Sequence, residues 1–504
     1  MFAAAISLVG LAATVYLVLR EAKAIRAQSG TVAKGAIAWS VAFGLFQLFL
    51  TIWGAIGLVA QNEPLAFVML ILTNAILTGC AWASIARDRI APRVFAFAGS
   101  DAPVPTGKLA RLRGAFVGKP LVAAVLCLLL AGVFALLGME SRPTRLTWVY
   151  PLCILLEWAI ITVLMVGLFF LFQRHGAAPA VLAFALFVLG IAEFFVITFK
   201  SMPIQPGDLS AISTAAAVAG NGYTFSISLF CVLSMGFTAI AMLLCEYAGL
   251  VAPHRQKGAA NAKRMLLTNL LVAVLCLGGV TAHVTLIDYY NTLGITVYTW
   301  RPLESYWREG YLPAFISAAQ SIKPPKPADY SVDDAKATLK KYAKAYDKSD
   351  AAKNDERAAA KEQFDSEKPT VIAIMNETFS DLSIYQNMRA GYEGPQYFKN
   401  LSNCLSRGKL YVSAYGGGTA NTEFEFMTGN SMANLARACT PTPSTTWKRP
   451  GTWQSSSNRS AIPPRPCTPT TRPTGTARTS IRTLALTSSC PSTISRAPIP
   501  CAAW

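Results

Sequence analysis

Apolar runs long enough to cross a bilayer fill most of the first 290 residues of the chain. A helix needs about 20 predominantly apolar residues to span the hydrocarbon core. The first run has too few basic residues before it for a typical signal peptide, so it is interpreted as a span. The pattern predicts a membrane domain over residues 1–287. Its eight expected transmembrane helices cover roughly 3–19, 36–60, 64–86, 120–139, 149–172, 178–199, 225–252 and 265–287.

Basic residues between these runs predict the orientation of the membrane domain. Sixteen Lys and Arg residues lie in alternate loops, after the first, third, fifth and seventh runs, and the opposite loops hold three: Arg142, Arg145 and Lys200. Loops rich in Lys and Arg stay in the cytoplasm. Both termini, and everything after about Asp288, are therefore expected outside. The net charge of +18 follows from these short loops, so no nucleic-acid partner is expected.

Acidic residues within the apolar runs are candidates for function. A carboxylate inside a bilayer is costly and is a functional hypothesis by default. Glu193 and Glu246 are expected near the interfaces, where they reach water, whereas Glu157 lies deeper and is a candidate to line a lipid or headgroup cleft. The loop 200–224 turns at Pro206-Gly207-Asp208 and continues into an Ala-rich stretch, which predicts an interfacial segment.

Residues 288–368 predict a linker in two parts. The first part is aromatic and punctuated by proline, as suits a membrane interface, and contains Trp300, Tyr306, Trp307 and Tyr311. The second part is rich in Ala, Lys and Glu, which favours a solvated helix. Ser331 and Asp334 resemble a capping box at its start.

Two short apolar stretches predict strands of an α/β domain beyond residue 368. TVIAIM (370–375) is typical of a buried parallel strand, and KLYVSAY (409–415) of a second strand. Asn376 and Glu377 follow the first strand, at the end where open α/β sheets place their sites. GGGTANTEFEFMTG (416–429) predicts a tight turn that leads into a helix. Glycine there lets the backbone approach a ligand closely.

Thr419 is the candidate nucleophile of this turn. Free N–H groups at a helix N-terminus suit a phosphate, and a threonine hydroxyl bound to a divalent metal can be activated for attack. Glu377 could give that metal a hard oxygen ligand. The plainer interpretation is that Thr419 is an ordinary N-cap and Glu377 a loop carboxylate. Taken alone, the residues leave both interpretations open.

IAIMNETFSDL and GGGTANTEFEFMTGNSMANL together resemble the lipoteichoic acid synthase family. The aromatic segment before the linker helix and the PGDL…TAAAVAGNGYTFS loop are also similar to that family. The similarity covers roughly residues 145–435, and the first three or four spans look like an addition. The resemblance implies a multi-span helical membrane domain followed by a sulfatase-like outer domain of the alkaline phosphatase superfamily, of which 369–435 would be the N-terminal part.

The same resemblance implies an activity and a set of site residues. Thr419 would be the nucleophile that becomes phosphoglycerylated, and Glu377 and Thr419 would bind Mn or Mg. Gly417, Gly418 and Asn421 would contact the substrate. The expected donor is phosphatidylglycerol, the acceptor a glycolipid or growing polymer, and the location the outer face of a bacterial cytoplasmic membrane. Alternatives are phosphoethanolamine transfer, sulfatase-type hydrolysis, and a non-catalytic membrane protein.

The chain departs from the family pattern after about Leu435. The family needs a downstream Asp-His pair for the metal and further His, Trp and Arg residues for the substrate. Here the three histidines, His175, His254 and His283, all lie in the membrane half. Residues 436–504 hold no Asp or Glu, nine Lys or Arg and eleven Pro, a composition that predicts disorder. We therefore expect this chain to be catalytically incompetent as written.

A reading-frame shift near Leu435 is the expected cause. Back-translation of the tail in another frame permits LGSGVYPYT, MHPYDPANWNRPDV and DLGFDEFLSIDDFE, which resemble the family's continuation. The alternative is a genuine extracellular tail rich in Pro, Arg and Thr. The eleven cysteines contain no CxxC pair, and six lie in apolar runs, where cysteine behaves as a small hydrophobe. They predict neither a disulfide framework nor a zinc site.

Overall fold

The computed structural model describes two compact units, which we call the membrane unit (Met1–Lys323) and the outer unit (from Pro324). The outer unit is named for its place in the chain, beyond the last long apolar helix. The described parts of the membrane unit are residues 2–28, 30–59, 66–95, 107–141, 146–211, 227–254, 261–298 and 301–322. In the outer unit they are 329–368, 372, 374–375, 381–384, 391–402, 404–407, 419–429, 431 and 501–503.

Helices dominate the described residues of both units. Those of the membrane unit are α1 (Phe2–Ala27), α2 (Lys34–Ala55), α3 (Ala66–Ile85), α4 (Arg87–Val94), α5 (Lys108–Phe116), α6 (Pro120–Glu140), α7 (Pro151–Leu171), α8 (Ala177–Lys200), α9 (Leu229–Val251), α10 (Ala262–Leu286), α11 (Pro302–Glu309) and α12 (Tyr311–Gln320). Those of the outer unit are α13 (Val332–Asp347), α14 (Asp355–Glu367), α15 (Gln396–Lys399) and α16 (Thr419–Thr428). Short 3-10 turns lie at Pro206–Ala211 and Leu382–Ile384.

Eight of these helices are long and apolar enough to cross a membrane: α1, α2, α3, α6, α7, α8, α9 and α10. The predicted multi-span helical membrane domain is thereby confirmed, and the chain is a multi-pass membrane protein. The helices extend past the apolar runs where polar residues continue the turn. For example, α1 ends at Ala27 and includes Arg20 and Arg26, since Arg and Lys are good helix formers.

Contacts between helix ends show that the spans alternate in direction. Gly54, near the end of α2, lies so close to the start of α1 that an added Cβ would be 2.5 Å from the Ala4 nitrogen. At the opposite end, Glu21 of α1 pairs with Arg89, just beyond α3. The bundle of spans therefore has two ends, which we name by composition. The arginine end is where α1, α3, α7 and α9 finish, and the aromatic end is where α6 and α8 finish.

Close helix packing at small residues builds the core of the membrane unit. In α9, the most enclosed span, 72% of the apolar window is buried inside the protein. A Cβ at Gly190 of α8 would lie 2.3 Å from the Met139 carbonyl oxygen of α6, so only glycine allows this approach. Small residues at such contacts let helix backbones approach one another, which drives helix association in membranes.

A buried polar network joins the first three spans. Gln47 of α2 is fully buried and accepts a hydrogen bond from the Thr14 hydroxyl at 2.7 Å. Its amide donates to the Thr78 hydroxyl of α3 at 3.0 Å and to the Asn74 carbonyl at 3.2 Å. Polar side chains that bond across helices act as specific contacts inside a bilayer. The apolar pattern that located these spans contained no signal for this network.

The linker helices match their sequence signals. Ser331 caps α13, and its hydroxyl accepts from the Asp334 N–H at 3.0 Å, which confirms the predicted cap. Asn354 caps α14 in the same way through the Glu356 N–H at 2.7 Å. No residue of α13 or α14 is buried, as expected for solvated helices.

The strands of the outer unit differ from those predicted. Ile372, Ile374 and Met375, the described part of TVIAIM, lie in no strand and are 66%, 82% and 42% exposed. The predicted buried strand is wrong at these three residues, because a parallel strand is buried only when other elements cover both its faces. The predicted strand 409–415 lies outside the described residues.

The two strands that the described residues do form are β1 (Cys404–Arg407) and β2 (Cys501–Ala503), which pair in parallel. The disorder predicted for 436–504 stays a prediction, because 501–503 is the part of that tail that the structure describes. The rest of that tail lies outside the described residues.

Candidate functional site

Thr419 is the first residue of α16, a helix of ten residues. The helix ends at Thr428, and Gly429 follows it with a φ of 68°, the left-handed conformation that favours glycine. The Gly429 N–H donates to the Glu425 carbonyl at 2.8 Å and closes the last turn. The prediction that GGGTANTEFEFMTG leads into a helix is therefore confirmed, and the threonine stands at its start.

Asn421 lies in the first turn of α16, two residues after Thr419. Its side chain is half-buried, and its Oδ1 atom is buried with no hydrogen-bond donor among the described residues. A buried amide oxygen without a donor is costly. Amide oxygens also bind hard cations, so Asn421 carries an acceptor of suitable chemistry two residues after the candidate nucleophile, a spacing that does not by itself put two side chains on one face of a helix.

The described residues do not by themselves fit a divalent metal ion. Within the described part of the chain, no three His, Cys, Asp or Glu side chains lie together. Mg and similar cations need several oxygen ligands in a defined geometry. Glu377, Gly417 and Gly418 lie outside the described residues. The predicted assembly of Glu377 with Thr419 and Asn421 therefore stays a prediction.

A second polar site lies at the aromatic end of the membrane unit, where two carboxyl groups hold the start of α12. The Tyr311 N–H donates to Glu140 Oε1 at 2.7 Å, and the Leu312 N–H donates to Glu157 Oε1 at 2.9 Å. Both glutamates are 1% exposed. A helix leaves its first N–H groups without partners, and here two spans supply the acceptors.

Glu140 and Glu157 come from two different spans, and they bind consecutive N–H groups, those of Tyr311 and Leu312. Gly310 has a φ of 77°, and a Cβ there would lie 2.9 Å from Glu157 Oε2. Glycine is therefore needed both for the turn between α11 and α12 and for its approach to the carboxyl pair.

Glu193 and Tyr306 extend the polar site at this end. The Ile204 N–H donates to Glu193 Oε2 at 2.7 Å. Tyr306 is 2% exposed, and its hydroxyl has no hydrogen-bond partner among the described residues. Burial raises the pKa of Tyr306 far above its usual value, and the negative charges of Glu193 and Asp208 add to the shift.

The expectation that Glu193 and Glu246 reach water is wrong. They are 2% and 4% exposed, because each carboxylate has a partner inside the protein. Glu246 lies 2.8 Å from the Arg87 guanidinium and accepts a hydrogen bond from the Ser84 hydroxyl. Buried charges require such partners. The sequence located these acids correctly. The partners of Glu246 lie about 160 residues away in the chain, and the partner of Glu193 is a backbone N–H 11 residues further on.

Glu140 is the residue of this site that sequence reasoning missed. It is the last residue of α6, directly after a long apolar run, and it lies next to Glu157 only in the folded chain. The signal was available, since an acid at the end of a span that points inward is unusual. Its pairing with Glu157 and Tyr311 could not be inferred from spacing.

No protein-family model, curated protein or solved structure matches this chain.

Proposed function

We propose that this chain is a multi-pass membrane protein of the phosphoglycerol-transferase lineage that carries the nucleophile part of a catalytic site. We further propose that it does not complete the reaction as written. The observation that carries the proposal is the helix that begins at Thr419. A threonine at that position meets the N-terminal dipole of α16, which favours an anion such as a phosphate diester.

The reaction proposed for the lineage has two balanced steps. The Thr419 hydroxyl oxygen attacks the phosphorus of phosphatidylglycerol and loses its proton. The bond between phosphorus and the diacylglycerol oxygen breaks, and that oxygen takes up a proton. An acceptor hydroxyl then attacks the phosphothreonine diester in the same manner and releases Thr419. Asn421 is proposed to orient the phosphate oxygens.

The downstream metal and substrate ligands of this lineage are the part that the chain lacks. A metal ion held by Glu377 and Thr419 alone would be under-coordinated. The three histidines all precede residue 287, and no Asp or Glu follows Ala436. The second candidate function, a non-catalytic membrane protein, is favoured by the same observation.

Restoring the reading frame after codon 435 tests the lineage. The frame-restored protein is expected to release diacylglycerol from phosphatidylglycerol vesicles when manganese is present. Thr419→Ala should abolish the release, whereas Thr422→Ala, a change of the same residue type in the same helix, should leave most of it. Mass spectrometry should find a phosphoglycerol adduct on a peptide that contains Thr419.

The products separate this proposal from its alternatives. Free glycerol phosphate without transfer to an acceptor would favour a hydrolase. Turnover of phosphatidylethanolamine in place of phosphatidylglycerol would favour phosphoethanolamine transfer. A frame-restored protein that is inactive towards both phospholipids, although it is folded, would contradict the transferase lineage.

A further inference from the structure

Four exposed cations lie together in sequence and structure at the arginine end of the membrane unit. They are Arg93 of α4, Lys108 and Arg111 of α5, and Lys119, the residue before α6. Each is exposed, and none has an ion-pair partner among the described residues. We call these four residues the basic patch. Their charge is available to a partner outside the chain.

Two ion pairs hold α4, one side of the patch, against the bundle. Arg87 pairs with Glu246 of α9 at 2.8 Å, and Arg89 pairs with Glu21 of α1 at 2.9 Å. Asp88 is the acidic residue of α4, and it lies 3.8 Å from Arg87. The first two arginines of α4 are thus neutralised inside the protein, whereas Arg93 is not.

An aromatic contact joins the two short helices. The ring centroids of Phe95, which follows α4, and Phe116, which ends α5, are 5.6 Å apart. Phe95 also packs against the core of the membrane unit. The basic residues of α5 are therefore presented from a helix that is attached to the bundle.

The position of the patch along the spans places it at the depth of lipid headgroups. The span α3 ends at Ile85, two residues before α4 begins, and the span α6 begins at Pro120, next to Lys119. Val117, between α5 and α6, is 62% exposed. An exposed apolar side chain among cations is typical of an interfacial helix, which puts the apolar group into the acyl boundary and the charges at the headgroups.

We propose that the basic patch binds the phosphate groups of anionic lipids in the surrounding leaflet. The proposal concerns the arginine end and does not rest on the proposed transferase activity. Four cations without an ion-pair partner in the described part of the chain, together with the exposed Val117, favour a lipid surface over a soluble acidic partner, because the apolar side chain gains from acyl contact. Clusters of four or more basic residues next to a span are the composition that recognises anionic headgroups.

The expected loss of affinity for anionic lipid follows from the number of positive charges removed. Each basic residue near an anionic surface contributes about 1 kcal/mol, or about fivefold in affinity. A variant with Arg93, Lys108, Arg111 and Lys119 all changed to Gln is expected to lose at least about tenfold in affinity for an anionic lipid, even if the contributions are far from additive.

The experiment measures lipid binding to the purified full-length chain by native mass spectrometry. The probes are phosphatidylserine, which is anionic and is not the proposed donor, and phosphatidylcholine. The matched control changes Lys336, Lys340, Lys341 and Lys344 to Gln, four exposed lysines of α13. A Lys108→Gln/Lys119→Gln double variant is expected to lose about half of the effect, which keeps the test valid if the quadruple variant is poorly folded.

We expect the wild-type chain and the α13 control to prefer phosphatidylserine over phosphatidylcholine. This preference should weaken in high salt, and the patch variant should lose it. Equal phosphatidylserine binding by all these proteins would overturn the proposal. So would a patch variant that loses binding of a polyglutamate peptide while its lipid binding is unchanged, because that outcome identifies a soluble acidic partner.

Discussion

The two ends of the membrane unit use buried carboxyl groups in opposite ways. At the aromatic end, Glu140, Glu157 and Glu193 accept hydrogen bonds from backbone N–H groups. At the arginine end, Glu246 accepts from the Arg87 guanidinium and from the Ser84 hydroxyl. The difference shows that an acid within a span has no fixed role. Its role depends on which donor the fold brings to it.

The two ends should therefore respond differently when a carboxyl group is removed. Loss of Glu246 leaves a charged guanidinium buried, whereas loss of Glu157 leaves a neutral N–H without an acceptor. A stranded charge costs more than a stranded amide.

The largest loss of stability is expected for Glu246→Leu. Removal of one partner from a buried pair costs about 3–5 kcal/mol, and the Arg87 and Glu246 side chains are only 15% and 2% exposed. The double variant Arg87→Leu/Glu246→Leu should recover much of that loss, since apolar replacement of both partners is often neutral. The free energy of unfolding in detergent is the measurement.

Glu21→Leu is the control for this prediction. Glu21 pairs with Arg89 at a similar distance, but Arg89 is 40% exposed, and exposed pairs contribute about 0–1 kcal/mol. If Glu21→Leu costs as much as Glu246→Leu, burial is not the cause, and the comparison between the ends fails.

A smaller loss is expected for Glu157→Leu at the aromatic end. The Leu312 N–H would lose its acceptor, which costs about 1–3 kcal/mol. Glu157→Gln should be close to the wild type, because the amide oxygen can still accept from the Leu312 N–H. Unfolding in detergent reports stability, and proteolysis after residue 298 reports release of α11 and α12. An equal loss in the Leu and Gln variants would show that the acceptor for Leu312 is not what stabilises this end.

The smallest effect on stability is expected from protonation of His254, which lies at the arginine end. Burial lowers the pKa of His254, and the nearby His175 and Arg174 add to the shift. The unfolded chain then binds a proton more readily than the folded protein does. This contribution to stability is complete above the ordinary pKa of about 6.5 and decreases as the pH falls below it.

The melting temperature should therefore drop modestly between about pH 7 and pH 5, and the drop should be smaller in His254→Gln. His175→Gln is the matched variant, and it is expected to raise the pKa of His254 by removing a neighbouring positive charge. A pH dependence that is unchanged in both variants would assign the effect to other groups.

The sequence predicted the spans well because each span must be predominantly apolar over about 20 residues to cross the bilayer. A run such as 120–139 is apolar throughout, and α6 covers Pro120–Glu140. Local signals were equally reliable for Ser331 at the start of α13 and for Thr419 at the start of α16. Each is fixed by residues within four positions along the chain.

The sequence failed where the partner was distant. Glu246 was expected to reach water, yet it pairs with Arg87 of another helix. Ile372 and Ile374 resembled a buried strand, yet burial requires covering elements that a short apolar stretch does not specify. Glu140 carried no local pattern that linked it to the N-terminus of α12.

We propose that the 504-residue chain holds a nucleophile position without a working site. The most direct measurement is diacylglycerol release from phosphatidylglycerol vesicles by the purified chain with manganese, beside Thr419→Ala. The account predicts equal, background release from both proteins. Manganese-dependent release by the wild-type chain that is lost in Thr419→Ala and kept in Thr422→Ala would contradict it.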